Sequence, residues 1–199
     1  MGSIDIRDVF DESDSSPDFY CTNAHKWFLC PRGVALMYAK DQVQDLVRPP
    51  IISHGFGSGF VSQFIWDGAR DYSSCLVLIH AVRLWRWMGS DRVLRRNHHL
   101  CGRAADLLAS RWRTSVAFGP EMTAAMALVL LPSFCWGERE CADSSDAKGV
   151  QDRLHFDHTI EVPIKVFHGR LYVRVSVHLH NSLAQFEALA DAVSSFNQH

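Results

Sequence analysis

Apolar and polar positions change period several times along the 199-residue chain. DFYCTN (18–23) reads as a short strand, and FLCPRGVALMYA (28–39) as a loop running into an apolar strand, with Pro31 and Gly33 at the turn. VRPPIISHGFGSGF (47–60) is a Pro- and Gly-rich loop. In SSCLVLIHAVRLWRWMG (73–89), Leu76, Ile79, Val82 and Arg83 recur at three-to-four spacing. That spacing predicts a helix with one apolar face, capped at Asp71 or Ser73 and stopped by Gly89. A second helix is predicted from Ser90 to Trp112, with Val93, Leu100, Ala104, Leu107 and Leu108 on its apolar face.

MALVLLP (126–132) reads as a strand and GERECADSSDAKG (137–149) as a mobile polar loop. A short helix (148–156) and strand IEVPI (160–164) follow. A turn at His168 and Gly169 leads to strand RLYVRVSVHL (170–179). SLAQFEALADAVSSF (182–196) is an amphipathic helix with Leu183, Phe186, Leu189, Ala190 and Val193 on one face. The break near residue 90 divides a front part, 1–89, from an α+β back part, 90–199.

Composition narrows the class. Apolar residues make up 47% and charged residues 21%, which excludes a wholly disordered chain. Twenty Lys and Arg stand against 22 Asp and Glu, so the basic surplus of a nucleic-acid binder is missing. Arg92, Arg95, Arg96 and Arg103 read as the solvated face of a helix. Residues 1–18 carry six acids and one base and read as a solvated lead-in. No apolar run reaches the roughly 20 residues that span a bilayer. The N-terminus lacks an apolar signal core, and Ile6 breaks the myristoylation pattern after Gly2. A cytoplasmic location is the expectation.

The six cysteines form no C-x-x-C pair, so neither a disulfide framework nor a zinc site is expected. HFDH (155–158) and HLH (178–180) have ligand-like spacing, but no second pair of suitable ligands accompanies them.

The densest chemistry lies in DFYCTNAHKWFLCPRG (18–33). Lys26 stands between His25 and Trp27, after a strand and before an apolar loop. A lysine is nucleophilic only when its amine is neutral, and desolvation beside aromatic rings favours that form. On these local features alone, Lys26 reads as a solvent-facing lysine.

The wider pattern changes that reading. N-A-H-K-W followed by P-R-G resembles the lysine segment of class V aminotransferase-like enzymes. These are fold type I proteins dependent on pyridoxal 5'-phosphate (PLP). SHGFGSGFVSQFIWDGARD (53–71) resembles the family's Gly-rich loop and its F-x-W-x-G-T-R-D segment. RLYVRVSVHLHN (170–181) resembles its C-terminal arginine strand, and SLAQFEALADAV (182–193) its closing helix. The isopenicillin N epimerase-like group is the branch most similar to these blocks.

The resemblance implies an α/β fold: the C-terminal part of a large PLP-binding domain over 1–89, then a small α+β domain over 90–199. It implies an enzyme acting on an amino acid by transamination, epimerisation or elimination. Lys26 would be the catalytic residue that bonds PLP, with Asn23, His25, Gly68 and Ala69 also contacting the cofactor. Arg174 would clamp the substrate carboxylate, a bidentate task that suits a guanidinium. The segment Gly68–Ala69–Arg70 would reach the phosphate of a neighbouring subunit, which implies a homodimer with shared sites.

Two departures stand out. Ala69 replaces the family's Thr, which removes one hydroxyl donor to phosphate. Only 25 residues precede Lys26, so the family's aspartate for the pyridine nitrogen, its phosphate turn and its ring-stacking aromatic are expected to be missing. The front half would then supply two strands of a mainly parallel sheet, with exposed faces and edges. The alternative expectation is therefore a catalytically incomplete fragment or isoform that acts only as a structural or interaction module.

Overall fold

The computed structural model describes residues 16–66, 68–137 and 139–198. The acidic lead-in expected over 1–18 lies almost wholly outside the described residues. The chain forms two compact units, a front unit ending at Gly89 and a back unit beginning at Ser90.

In the front unit, β1 (Phe19–Asn23) and β2 (Ala35–Ala39) form a two-stranded sheet. Between them lies a single helical turn, α1 (Ala24–Trp27). The strands pair antiparallel, with Phe19 opposite Ala39 and Asn23 opposite Ala35. The mainly parallel sheet expected here is thus represented, among the described residues, by an antiparallel pair. A parallel pair needs a crossover of a dozen or more residues, and the link from Asn23 to Ala35 has no room for one. Leu29 (φ 60°) and Gly33 (φ 97°) turn the chain back, so a non-glycine residue sits in the left-handed region three positions after Lys26.

The Gly-rich loop leads to α2 (Phe60–Gln63). A methyl group on Gly55 would lie 2.0 Å from the Ser62 carbonyl oxygen, so the close approach at this turn requires glycine. The predicted 73–89 helix is present as α3 (Ser73–Leu76) and α4 (Leu78–Met88), and Gly89 ends it at φ 77°. Asp71 accepts a hydrogen bond from the Ser73 amide at 2.8 Å. The expected apolar face is wrong: Leu76 and Ile79 are exposed, whereas Ala81 and Trp85 are buried. Trp85 turns inward because it packs on Trp27 and Phe28, a tertiary contact that periodicity does not reveal.

Eighteen of the 23 large apolar side chains exposed among the described residues belong to the front unit. All of β2 except Ala39 is exposed.

The back unit carries a three-stranded antiparallel sheet in the order β3-β5-β4: β3 (Met126–Leu130), β4 (Ile164–Phe167) and β5 (Arg170–Ser176). Three helices, α5 (Ser90–Trp112), α6 (Ser144–His158) and α7 (Leu183–Ser195), complete it. Leu171, Val173 and Val175 alternate along β5 and join Cys101, Leu108, Leu154, Leu189 and Val193 in one core. Trp112 ties α5 to α7 by donating from Nε1 to the Ala190 carbonyl.

Two elements here differ from expectation. The polar loop 137–149 ends early, because α6 starts at Ser144. Asp143 accepts from the Ser145 and Asp146 amides, and the Asp146 side chain returns a bond to the Asp143 amide. The strand expected at 160–164 begins only at Ile164. Pro163 has no N–H to donate and serves the sheet only through its carbonyl, which accepts from the Arg174 amide at 3.0 Å. The β4–β5 turn places His168 and Gly169 at positive φ, 46° and 69°, the twist that a two-residue hairpin favours.

Candidate functional site

Asn23, His25 and Lys26 stand in a row where β1 runs into α1. Several bonds pin this turn. The Ala24 amide donates to the Val34 carbonyl at 3.1 Å, and Ala24 itself is fully buried. His25 Nδ1 lies 2.9 Å from the same carbonyl oxygen. Trp27 Nε1 donates to Thr22 Oγ1 at 3.0 Å. The Trp27 ring meets Trp85 edge-on at 6.1 Å, and Phe28 stacks on Trp85 at 5.6 Å. Lys26 projects from this fixed frame, exposed, and its amine has no hydrogen bond or ion pair among the described residues.

Gly68 and Ala69 lie on a different segment of the front unit. Gly68 has φ 118°, and its carbonyl accepts from the Tyr72 hydroxyl at 2.7 Å. Arg70 sits over the Tyr72 ring at 5.1 Å. Ala69 is exposed.

Arg174 belongs to the back unit, at the middle of β5 opposite Leu128 of β3. It points away from the core face that Val173 and Val175 occupy. Its Nε is buried and has no hydrogen-bond partner among the described residues. A buried unpaired donor costs about 1–3 kcal/mol, more for a charged group, so this atom calls for an acceptor.

Sequence reasoning missed Trp85, because its role depends on a contact 58 positions from Trp27. It also missed the carbonyl of Val34, a backbone atom invisible to residue-type patterns. Among the described residues, no group of three or more His, Cys, Asp or Glu is placed to hold a metal ion. His155 of the HFDH segment instead meets Glu161 at 2.9 Å, and His178 of the HLH segment stacks on His180 at 5.5 Å.

No family model matches the chain. Individual proteins do. L-cysteine desulfhydrase from Arabidopsis thaliana is 30% identical over 213 residues, 98% of this chain and 45% of that protein. Isopenicillin N epimerase from Amycolatopsis lactamdurans is 26% identical over 199 residues, 91% of this chain and 47% of that protein. This chain is a relative of the class V aminotransferase-like enzymes. It spans just under half the length of these curated relatives. In fold it matches the Oryza sativa TDC solved with PLP and tryptamine, at TM-score 0.63 and 16% identity, over 91% of this chain and 36% of that one. The fold is therefore part of the fold type I α/β arrangement. No helix among the described residues is long and apolar enough to cross a membrane.

Proposed function

We propose that this chain serves a PLP-dependent enzyme of the class V family acting on an amino-acid substrate, with Lys26 as the residue that bonds the cofactor. The observation that carries this reading is the 30% identity to an L-cysteine desulfhydrase over 98% of this chain, together with a lysine turn held from both sides. When bound, PLP supplies an aldehyde that condenses with an amine and a ring that draws electrons from the substrate α-carbon. Lys26 holds or moves a proton at its Nζ. Asn23 and His25, three and one positions before it, offer polar groups for the phosphate, as a neutral amide and an imidazole. Gly68 and Ala69 form the second cofactor segment, and its service to a partner copy of the chain belongs to the same proposal. Ala69 brings no hydroxyl to that task. Arg174 receives the substrate carboxylate, which satisfies its buried Nε.

In this reading residues 1–89 belong to the large cofactor-binding domain and 90–199 form the small domain. Of the reactions expected, elimination at a cysteine-like side chain has the best support, since a relative at 30% identity is an L-cysteine desulfhydrase. The two curated relatives are both enzymes, so neither supports a purely structural module.

The test is sulfide release from L-cysteine by the full 199-residue chain supplied with PLP. Release that is lost in Lys26→Ala and weakened in Arg174→Ala supports the proposal. Release that both variants retain at the wild-type rate overturns it.

A further inference from the structure

The tautomer of His25 is set by its partner. The Val34 oxygen is a carbonyl and only accepts, so the Nδ1 that lies 2.9 Å away carries the hydrogen. In the neutral ring the other nitrogen, Nε2, then has a lone pair and no hydrogen. This conflicts with the role proposed above. A phosphate oxygen is also an acceptor, and two acceptors do not bond. One added proton resolves the conflict, whether it rests on Nε2 or is shared with the phosphate oxygen. The resulting bond is charge-assisted.

We infer that His25 takes up a proton when it receives the cofactor phosphate, so that the site binds a phosphorylated aldehyde together with a proton. The inference rests on the proposed function and adds a pH dependence to it. The groups that can tune the ring come from every side of its turn. Lys26 shares α1, Cys21 lies on β1, Cys30 and Arg32 follow in the loop, and Tyr38 lies on β2. Arg83 and Arg86 lie on α4, the helix that brings Trp85 to the turn. None of these makes a hydrogen bond to the His25 ring among the described residues, so Nε2 is left for a ligand. The linkage has one sign: because a proton is bound together with the phosphate, affinity for PLP falls as pH rises, by up to about tenfold per pH unit.

The experiment is calorimetry of PLP and of pyridoxal, which lacks the phosphate, on the full chain at pH 8. Runs in buffers of different ionisation heat give the protons exchanged. A free phosphate monoester is already almost fully dianionic there. Condensation of the Lys26 ammonium with either aldehyde releases water and the same proton, so that contribution cancels. The expected result is that PLP takes up about one proton more than pyridoxal in the wild type, and that His25→Asn abolishes the difference. Equal uptake for the two aldehydes in the wild type overturns the inference while leaving the functional reading in place. Failure of both aldehydes to bond Lys26 overturns the reading and the inference together. The two-aldehyde comparison needs no variant, so it stands even if His25→Asn does not fold.

Discussion

The indole of Trp85 lies nearly parallel to the ring of Phe28, 5.6 Å away and inclined by 13°. Phe28 is two positions beyond Lys26, so α4 bears directly on the turn that carries the amine. Stacked aromatic pairs add about 0.5–1.5 kcal/mol to the burial of their surfaces. Trp85 also meets Trp27 edge-on, so its removal unseats two neighbours of Lys26 at once.

Trp85→Ala is therefore expected to destabilise the front unit by about 3 kcal/mol or more, the usual cost of deleting a buried indole. Trp85→Phe keeps an aromatic surface and is expected to recover most of that loss. Denaturant melts of the two variants check this. Equal stability of wild type and Trp85→Ala would show that the stack does not hold the turn.

The start of α6 leads to an expectation in pH. The Asp143 carboxyl is held below its ordinary range by hydrogen bonds from the Asp146 and Ser145 amides, with the Arg139 charge adding to them. A carboxyl depressed on folding contributes stability above its unfolded value and loses it as pH falls through the folded value. Asp143→Ala should therefore melt at lower temperature than wild type at pH 7, and the gap should close as pH drops through the acid range. A gap that persists unchanged in acid would rule out the charged cap as its source.

Three features of this chain were legible in its sequence, for physical reasons. The strand at 18–23, the 23-residue helix ending at Trp112 and the amphipathic α7 each follow a period set by local geometry. The helix start at Ser144 was written as D-S-S-D, but a string so polar is equally at home in a loop. Pro163 displaced β4 because its missing N–H outweighed the apolar pattern around it. The Lys26 segment was legible as a motif. Its frame was not, since the Val34 carbonyl and the Trp85 ring reach it only through tertiary structure.

The cysteines divide by environment. Burial pushes the Cys101 thiol up to about 11 and the Cys135 thiol up to about 12, with the Arg153 charge partly opposing the shift at Cys135. Cys21, Cys75 and Cys141 are exposed. Thiolate is the reactive form, so alkylation at pH 8 should reach the exposed three first. Cys101 and Cys135 should react only when the back unit is unfolded. Mass mapping against time reads the order, and early labelling of Cys101 would contradict the described core.

The chain contains four lysines, Lys26, Lys40, Lys148 and Lys165, which allows an internally controlled test of the central claim. Lys40 donates to the Ser16 carbonyl and Lys148 pairs with Asp152, whereas the Lys26 and Lys165 amines are both exposed and free among the described residues, so Lys165 serves as the control for simple accessibility. Incubation of the folded chain with PLP, borohydride reduction and peptide mapping would locate the bonded amine. The account expects the pyridoxyl group predominantly on Lys26, and its loss in Lys26→Ala without loss of fold. Even labelling across all four lysines, or labelling that spares Lys26, would contradict it.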